Sequence, residues 1–504
     1  MRAPSRSLLS LLALLALGGC LLGPNYERPA VDTPPAFRFA EADTKDLVNT
    51  AWWEQFQDPA LNQLIATALA ENKDVKIAAA RVDEFLGQFQ TTRAQLFPQA
   101  AAGVNAQRER VPIGTAQLPA GVGPVFNQFQ GTLSASWEID VFGRLRRETE
   151  AARANLLSSE EGRRATILTL VASVATSYVN LLSLDRQLEI AKATATSREA
   201  SVNVFQLRFS GGQVSQMELA QSQSEYQASL ATIPQIELQI AQQENSLSIL
   251  LGHNPEAIVR DRELDDLSLP AVPAGLPSEL LERRPDLRQA EQDLVAANAL
   301  IGAARALYFP SISLTGLFGT ASGQFSSLFT GPARVWSYAG AVTLPIFTAG
   351  SIAGQVRQAE AQQQQALLEY QKAIQVAFQD VSDSLVSLQK TRAQLVVQGR
   401  QVDALREYSH FARLRYEGGY TSYIEVLDAE RSLFNAQLSY AQAQGTVFAS
   451  TVSLYKAMGG GWVTDAEHMT AVTYGASGAV ANPAVTNPAV TNPGAEIATK
   501  GPTP

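Results

Sequence analysis

Arg208-Phe209-Ser210-Gly211-Gly212-Gln213-Val214-Ser215 and Arg415-Tyr416-Glu417-Gly418-Gly419-Tyr420-Thr421-Ser422 carry one pattern twice, 207 residues apart (418 − 211). In each, a glycine pair lets the backbone take positive φ and reverse. Ser215-Gln216-Met217-Glu218 and Ser422-Tyr423-Ile424-Glu425 then read as capping boxes that restart a helix. Upstream of the first break, Gly143 to Phe209 contains no proline over 67 residues, about 100 Å of helix at 1.5 Å per residue. Both copies then close on a glycine, Leu250-Leu251-Gly252 and Ala457-Met458-Gly459. A duplicated long hairpin describes a pseudo-symmetric wall rather than one globular core, and so a conduit.

The same offset holds along the helices. Ile167, Val174, Leu181, Leu188 and Ala195 fall seven apart, as do Ile374, Val381, Leu388, Leu395 and Val402. A strict seven-residue repeat makes a coiled-coil seam with a left-handed supercoil. Ala165 to Leu184 is free of charge but rich in Ser, Thr and Asn, and its counterpart carries Lys372, Asp380, Asp383 and Lys390. Polar groups are costly in lipid, so both copies are expected to be water-facing coiled helices rather than bilayer spans.

Before each long helix the period changes to two. Phe129, Gly131, Leu133, Ala135, Trp137, Ile139 and Val141 alternate with polar residues, and Trp336 to Ile346 repeats the alternation. Ser311 to Phe318 is shorter. Pro98 to Arg110 is the weakest, matched to the third by Leu96-Phe97-Pro98 against Tyr308-Phe309-Pro310. Four strands in two hairpins follow. Soluble sandwiches alternate too, but the length and terminal aromatics of the second strand favour a transmembrane barrel. Four strands do not close a barrel, for which about eight are needed; two, three or four copies give 8, 12 or 16 strands, and periodicity does not choose among them.

The ends bound the location. Arg2 and Arg6 precede the apolar run Leu8 to Leu17, then Leu17-Gly18-Gly19-Cys20, with Cys20 the only cysteine. The run has signal-peptide character, and Leu-Gly-Gly-Cys resembles a bacterial lipobox, which implies cleavage before Cys20 and its acylation. Leu21 and Leu22 supply no acidic residue after Cys20, a pattern that implies passage to the outer membrane. From about residue 475 the chain repeats Asn-Pro-Ala-Val-Thr (482–486 and 487–491) and is expected to be disordered.

Composition removes other classes. The net charge is −9 with no basic run, so nucleic acid is not an expected partner. His253, His410 and His468 are scattered without ligand spacing, and no phosphate loop or nucleophile motif occurs. No enzyme activity, metal or cofactor is expected beyond the lipid on Cys20. A periplasmic adaptor lipoprotein is the main rival, but it would normally carry one hairpin between paired β motifs.

These residues together resemble the TolC/OprM (NodT-like) outer-membrane factor family. The likeness rests on Gly23-Pro24-Asn25-Tyr26-Glu27-Arg28-Pro29, on Trp52-Trp53 with Phe56, Asp58 and Leu61, and on Arg284-Pro285-Asp286-Leu287. It also rests on Arg415-Tyr416-x-x-Gly-Tyr with Val426-Leu427-Asp428-Ala429-Glu430-Arg431, and on Tyr455 to Trp462. The resemblance implies a homotrimer: a 12-stranded outer-membrane barrel on a coiled, 12-helix periplasmic α-barrel with an α/β equatorial belt. It divides the chain into a signal peptide (1–19), an anchor and belt segment (20–59) and repeat 1 (60–278). In repeat 1 the β-hairpin is 98–141 and the helical hairpin 143–252. Repeat 2 (279–462) follows, with hairpins at 310–346 and 350–459, and then a tail (463–504). The function implied is that of a passive exit duct in tripartite efflux, docked through a periplasmic adaptor to an inner-membrane RND-type pump; a type I protein secretion duct shares the fold. Asp428, Glu425 and Tyr416 fall on the family's periplasmic gate, and Thr421 stands where some members carry an Arg. Glu425 also reads as the cap of its helix, whereas Asp428, opposite Gln221 of the first copy, has no such reading. Gly211, Gly212, Ser215, Gly418, Gly419 and Ser422 would meet the adaptor, or serve turn geometry alone. The exported substrates are not legible.

Overall fold

The computed structural model describes residues 21–31, 33–39, 51–110, 112, 124–270, 277–459 and 462–470; Cys20 and the stretch from 475 lie outside them. Nine helices and four strands are found among the described residues. α1 (Pro59–Glu71) and α2 (Lys73–Ala94) lead into β1 (Gln99–Arg110) and β2 (Val125–Ile139). The 67-residue α3 (Arg144–Ser210) and α4 (Gln216–Leu251) form the first helical hairpin. The short α5 (Pro277–Arg283), α6 (Pro285–Ala306), β3 (Ser311–Ser322) and β4 (Arg334–Thr343) follow. A second 67-residue helix, α7 (Ser351–Glu417), pairs with α8 (Tyr423–Ala457), and α9 (Val463–Met469) ends the described chain. The two long helices are 207 residues apart at both ends (351 − 144 and 417 − 210).

The helices form an open row. Near the strands the order across the row is α2, α3, α6, α7; toward the tips it is α4, α3, α8, α7. Each short helix of one tier therefore stands end-on over one of the other, α2 over α4 and α6 over α8. At the first joint the Asn72 side chain caps Val75 N–H (3.0 Å) and donates to the Leu250 carbonyl (2.9 Å). Gly252, at φ +83°, lets the backbones meet, since a Cβ there would lie 2.3 Å from the Glu71 carbonyl oxygen. At the second joint buried Arg284 takes the Asn's place, donating to the Ala457 carbonyl (3.3 Å) and to Asp286 (2.7 Å) and Asp380 (3.0 Å). The copies also differ at Pro234, inside α4, where the offset position in α8 is Ala441.

The predicted seam is the interior. Ile167, Val174, Leu181, Ile374, Val381 and Leu388 are all buried. The apolar window of α3 is long enough to cross a membrane, but 67% of it is buried inside the protein. It packs against a belt in which Trp52 stacks on Tyr455 (5.2 Å) and Trp53 meets Trp462 edge-on (5.0 Å). Tyr178 donates its hydroxyl hydrogen bond to Asp58 (2.8 Å), which also caps α1 through Ala60 N–H. The belt covers one side of α8, through Phe448, Val452 and Tyr455.

The strands form one antiparallel sheet in the order β1-β2-β3-β4. Its register aligns Ala102, Leu133, Phe318 and Trp336 across all four strands. Leu133, Phe318, Trp336, Tyr338 and Val342 are exposed, so the sheet turns a continuous apolar face outward. β4 stops at Thr343, short of the alternation through Ile346, because Pro345 has no N–H to give a ladder. Among the described residues neither edge, β1 or β4, has a further strand partner in the single chain.

The N-terminal segment lies along α6 and α7. Arg147 donates to the Leu22 carbonyl (3.1 Å) and the Asn25 side chain (2.8 Å), Asn298 donates to the Pro24 carbonyl (3.1 Å), and Arg28 pairs with Glu291 (2.8 Å). Leu21 is thereby packed beside Gly143, at the junction of β2 and α3.

Candidate functional site at the hairpin tips

The tips farthest from the sheet are held together by an aromatic cluster. Phe205 near the end of α3 meets Tyr423 at the start of α8, 4.1 Å between centroids, and Tyr416 near the end of α7 stacks on Phe205 (6.1 Å) and packs on Tyr423 (5.2 Å). Leu219, Val426 and Ala429 complete the cluster. Burial pushes the Tyr423 hydroxyl up to about 12 and raises Tyr416, the latter helped by nearby Glu218. Both tyrosines are neutral at physiological pH, so this contact between the hairpins carries no charge.

The two turns differ in how the second helix starts. Ser215 and Glu218 form the expected capping box, with Ser215 Oγ accepting from Glu218 N–H (3.2 Å) and Glu218 accepting from Ser215 N–H (2.8 Å). Ser422 makes no such cap, so the second capping box is corrected. The Glu425 carboxylate accepts from Arg415 (3.0 Å) and from the Thr421 hydroxyl instead. The reason lies one residue before the serine. Val214 offers no hydroxyl to Glu218, whereas Thr421 offers one to Glu425 and draws it away from the backbone.

Asp428 stands one turn farther in and pairs with Arg431 (2.8 Å), both side chains more than half exposed. Twenty-five residues separate Asp428 from Ser453, close to seven turns at about 3.6 residues per turn. Ser453 is exposed on the side of α8 away from the Phe448, Val452 and Tyr455 belt face. Asp428 therefore projects from the side of the helical row opposite the belt.

Gly211, Gly212, Ser215, Gly418, Gly419 and Ser422 are all exposed. Gly212 (φ +70°) and Gly419 (φ +76°) need glycine for their backbone, with open space where a Cβ would stand. Gly211 (φ −84°) and Gly418 (φ −77°) do not need it for that reason. Sequence reading quoted Arg415, Tyr423 and Arg431 only as motif residues, gave them no role at the tips, and did not single out Phe205. Arg431 was findable as the i+3 partner of Asp428; Arg415 lies ten residues from Glu425 across a turn, and no local pattern announces it.

A family model of outer membrane efflux proteins matches residues 64–253 and 276–460. Among curated proteins, the toluene efflux pump outer membrane protein TtgC of Pseudomonas putida is 38% identical over 467 residues, covering 91% of this chain and 96% of that one. The cation efflux system protein CusC of Escherichia coli is 37% identical over 465 residues, covering 90% and 98%. Among solved structures, the open state of the Neisseria gonorrhoeae MtrE outer membrane channel superposes with a TM-score of 0.80 at 32% identity, covering 88% of this chain and 99% of that one.

Proposed function

Because the chain belongs to the outer membrane efflux protein family and is an outer-membrane channel of a Gram-negative efflux system, we propose that three copies form one exit duct. The observation that carries this is the pair of open edges: a four-stranded sheet with an apolar outer face stands over a row of four helices, and among the described residues neither closes within one chain. Three copies supply twelve strands and a ring of twelve helices in each tier. The belt lies outside and the opposite face, with Asp428, lines the lumen. Leu21 is packed at the sheet–helix junction beside Gly143, next to the Arg147 contact with Leu22, which supports the reading of the adjoining Cys20 as the lipid-anchored residue.

The tips form the periplasmic aperture, docked to an adaptor and through it to an inner-membrane pump. Phe205, Tyr416 and Tyr423 hold the hairpins closed. Asp428, more than half exposed in a solvent-facing pair with Arg431, is the carboxylate presented to the passage, whereas Glu425 is only one-quarter exposed and is held in the turn by Arg415 and Thr421. A ring of carboxylates raises local cation concentration and disfavours anions. The duct itself performs no chemistry. Relatives of near-equal identity are named for toluene and for cations, so substrate choice is assigned to the pump and adaptor. Single-channel recording of the purified trimer in planar bilayers tests the reading: a small cation-selective conductance is expected, and a monomer that forms no channel would refute it.

A further inference from the structure

From Gln99 to Trp137 and from Ser311 to Ile346 the only charged residues are Arg108, Glu109, Arg110 and Arg334. Three arginines against one glutamate, in a chain of net charge −9, is a local reversal of sign. The register puts Arg108 opposite Asn127 and Arg110 opposite Val125, in step with Ala106 opposite Phe129. Residues two apart share a face, so both arginines stand on the outward apolar face and Glu109 on the other. Arg334, opposite Thr320, shares its face with Trp336 and Tyr338. All three arginines are exposed, and among the described residues no acidic side chain pairs with any of them.

Their height is what gives them meaning. β1 leaves the helices at Gln99, and Arg108 lies nine residues farther, about 30 Å along the strand at 3.3 Å per residue. With strands tilted about 40°, that reaches the far edge of an apolar band about 25 Å tall. An arginine on the lipid face is costly at the midplane and tolerated at the interface, where stacked Trp336 and Tyr338 (5.8 Å) mark the boundary. Arg108 and Arg110 are on one edge strand and Arg334 on the other. In the twelve-stranded barrel proposed above, on which this inference rests, β4 of one copy meets β1 of the next and brings the two sets together at each of three seams.

We propose that each seam binds the phosphate groups of a phosphorylated glycolipid in the distal leaflet. The guanidinium forks engage the phosphates bidentately, while the acyl chains lie on the apolar face below. The site needs no loop: the connecting stretches 111–124 and 323–333 hold no charge.

The test uses the full-length protein in phosphatidylcholine vesicles doped with bisphosphorylated lipid A or with its fully dephosphorylated form. Glycolipid retained per protomer after detergent extraction is counted by mass spectrometry. Retention of the phosphorylated form at least fivefold above the dephosphorylated form is expected. The triple variant R108Q/R110Q/R334Q should fall to the dephosphorylated level, while R406Q, on the helical part, should match wild type. Equal retention of the two lipids by wild type overturns the proposal without reference to any variant, and so does wild-type retention by a folded triple variant. Failure to float with either vesicle would overturn the channel reading and this inference with it; flotation with equal retention overturns this inference alone.

Discussion

Phe205 and Tyr423, from different repeats, lie ring against ring at 4.1 Å between centroids, the shortest aromatic contact at the tips. The contact joins the end of α3 in the first hairpin to the start of α8, the second helix of the other hairpin, so it resists separation of the two hairpins rather than stabilising either alone. Phe205→Ala removes a buried ring, and such truncations cost about 3–5 kcal/mol. The variant is expected to assemble, because the belt and sheet are untouched, but to conduct several-fold more current per channel; unchanged conductance would show that the closure lies elsewhere.

Asp428 and Glu425 should separate in their effects on selectivity. Asp428→Asn is expected to shift the reversal potential in a salt gradient toward zero, with Arg431 then adding unpaired positive charge. Glu425→Gln should shift it less, since that carboxylate is more buried than Asp428 and is held by the Thr421 hydroxyl as well as by Arg415, but should raise conductance by loosening the turn. Equal shifts from both substitutions would contradict the assignment.

The tip glycines allow turn geometry to be told from contact. Gly212→Ala forces a Cβ into positive φ and should weaken the turn by about 1 kcal/mol, lowering adaptor capture through a disordered tip. Gly211→Ala meets nothing closer than 3.6 Å and has an ordinary φ, so the fold should be unaffected. Loss of site-specific crosslinking to the adaptor in Gly211→Ala would then report contact, and full crosslinking would assign the residue to the turn alone.

Two alternating strands and a doubled hairpin were legible because their signals are periodic: burial imposes period two on a sheet and period seven on a coiled seam. The joints and the tip ion pairs were not. Arg284 looks like one residue of a loop motif, and only the end-on meeting of α6 and α8 shows why its guanidinium is buried beside Asp286 and Asp380. The capping box at Ser422 was misread because Thr421, which redirects Glu425, differs from Val214 by a hydroxyl whose reach depends on the folded turn.

Glu161 offers a pH test. It is buried in α3, accepts from Arg164 (2.7 Å) and Arg288 (2.8 Å), and burial nevertheless raises its pKa above the ordinary glutamate value. A raised carboxylate pKa means that the folded state binds the proton more tightly, so stability is lost as pH rises from the unfolded value, near 4.5, through the folded one. Glu161→Gln should therefore melt above wild type at pH 7, with the gap closing near pH 4; a gap that widens on acidification would reverse the sign.

Arg284→Met should loosen the second joint. It leaves the Ala457 carbonyl and two carboxylates without their donor, and breaking a buried pair of this kind costs about 3–5 kcal/mol, to be discounted because Asp286 and Asp380 are nearly half exposed. A lower melting temperature of the helical part, read by circular dichroism with the sheet intact, is the expected outcome; an unchanged melt would mean that the joint bears no load.

The equal length of α3 and α7 has an evolutionary corollary. The two helices act as matched rulers: adding one residue to either would rotate its tip by about 100° and advance it by about 1.5 Å, unseating Phe205 from Tyr423 and tilting one turn above the other. The reach of the duct across the periplasm can then change only by the same insertion in both halves of the chain, in steps close to whole heptads. The gene duplication that built the wall also locked its length.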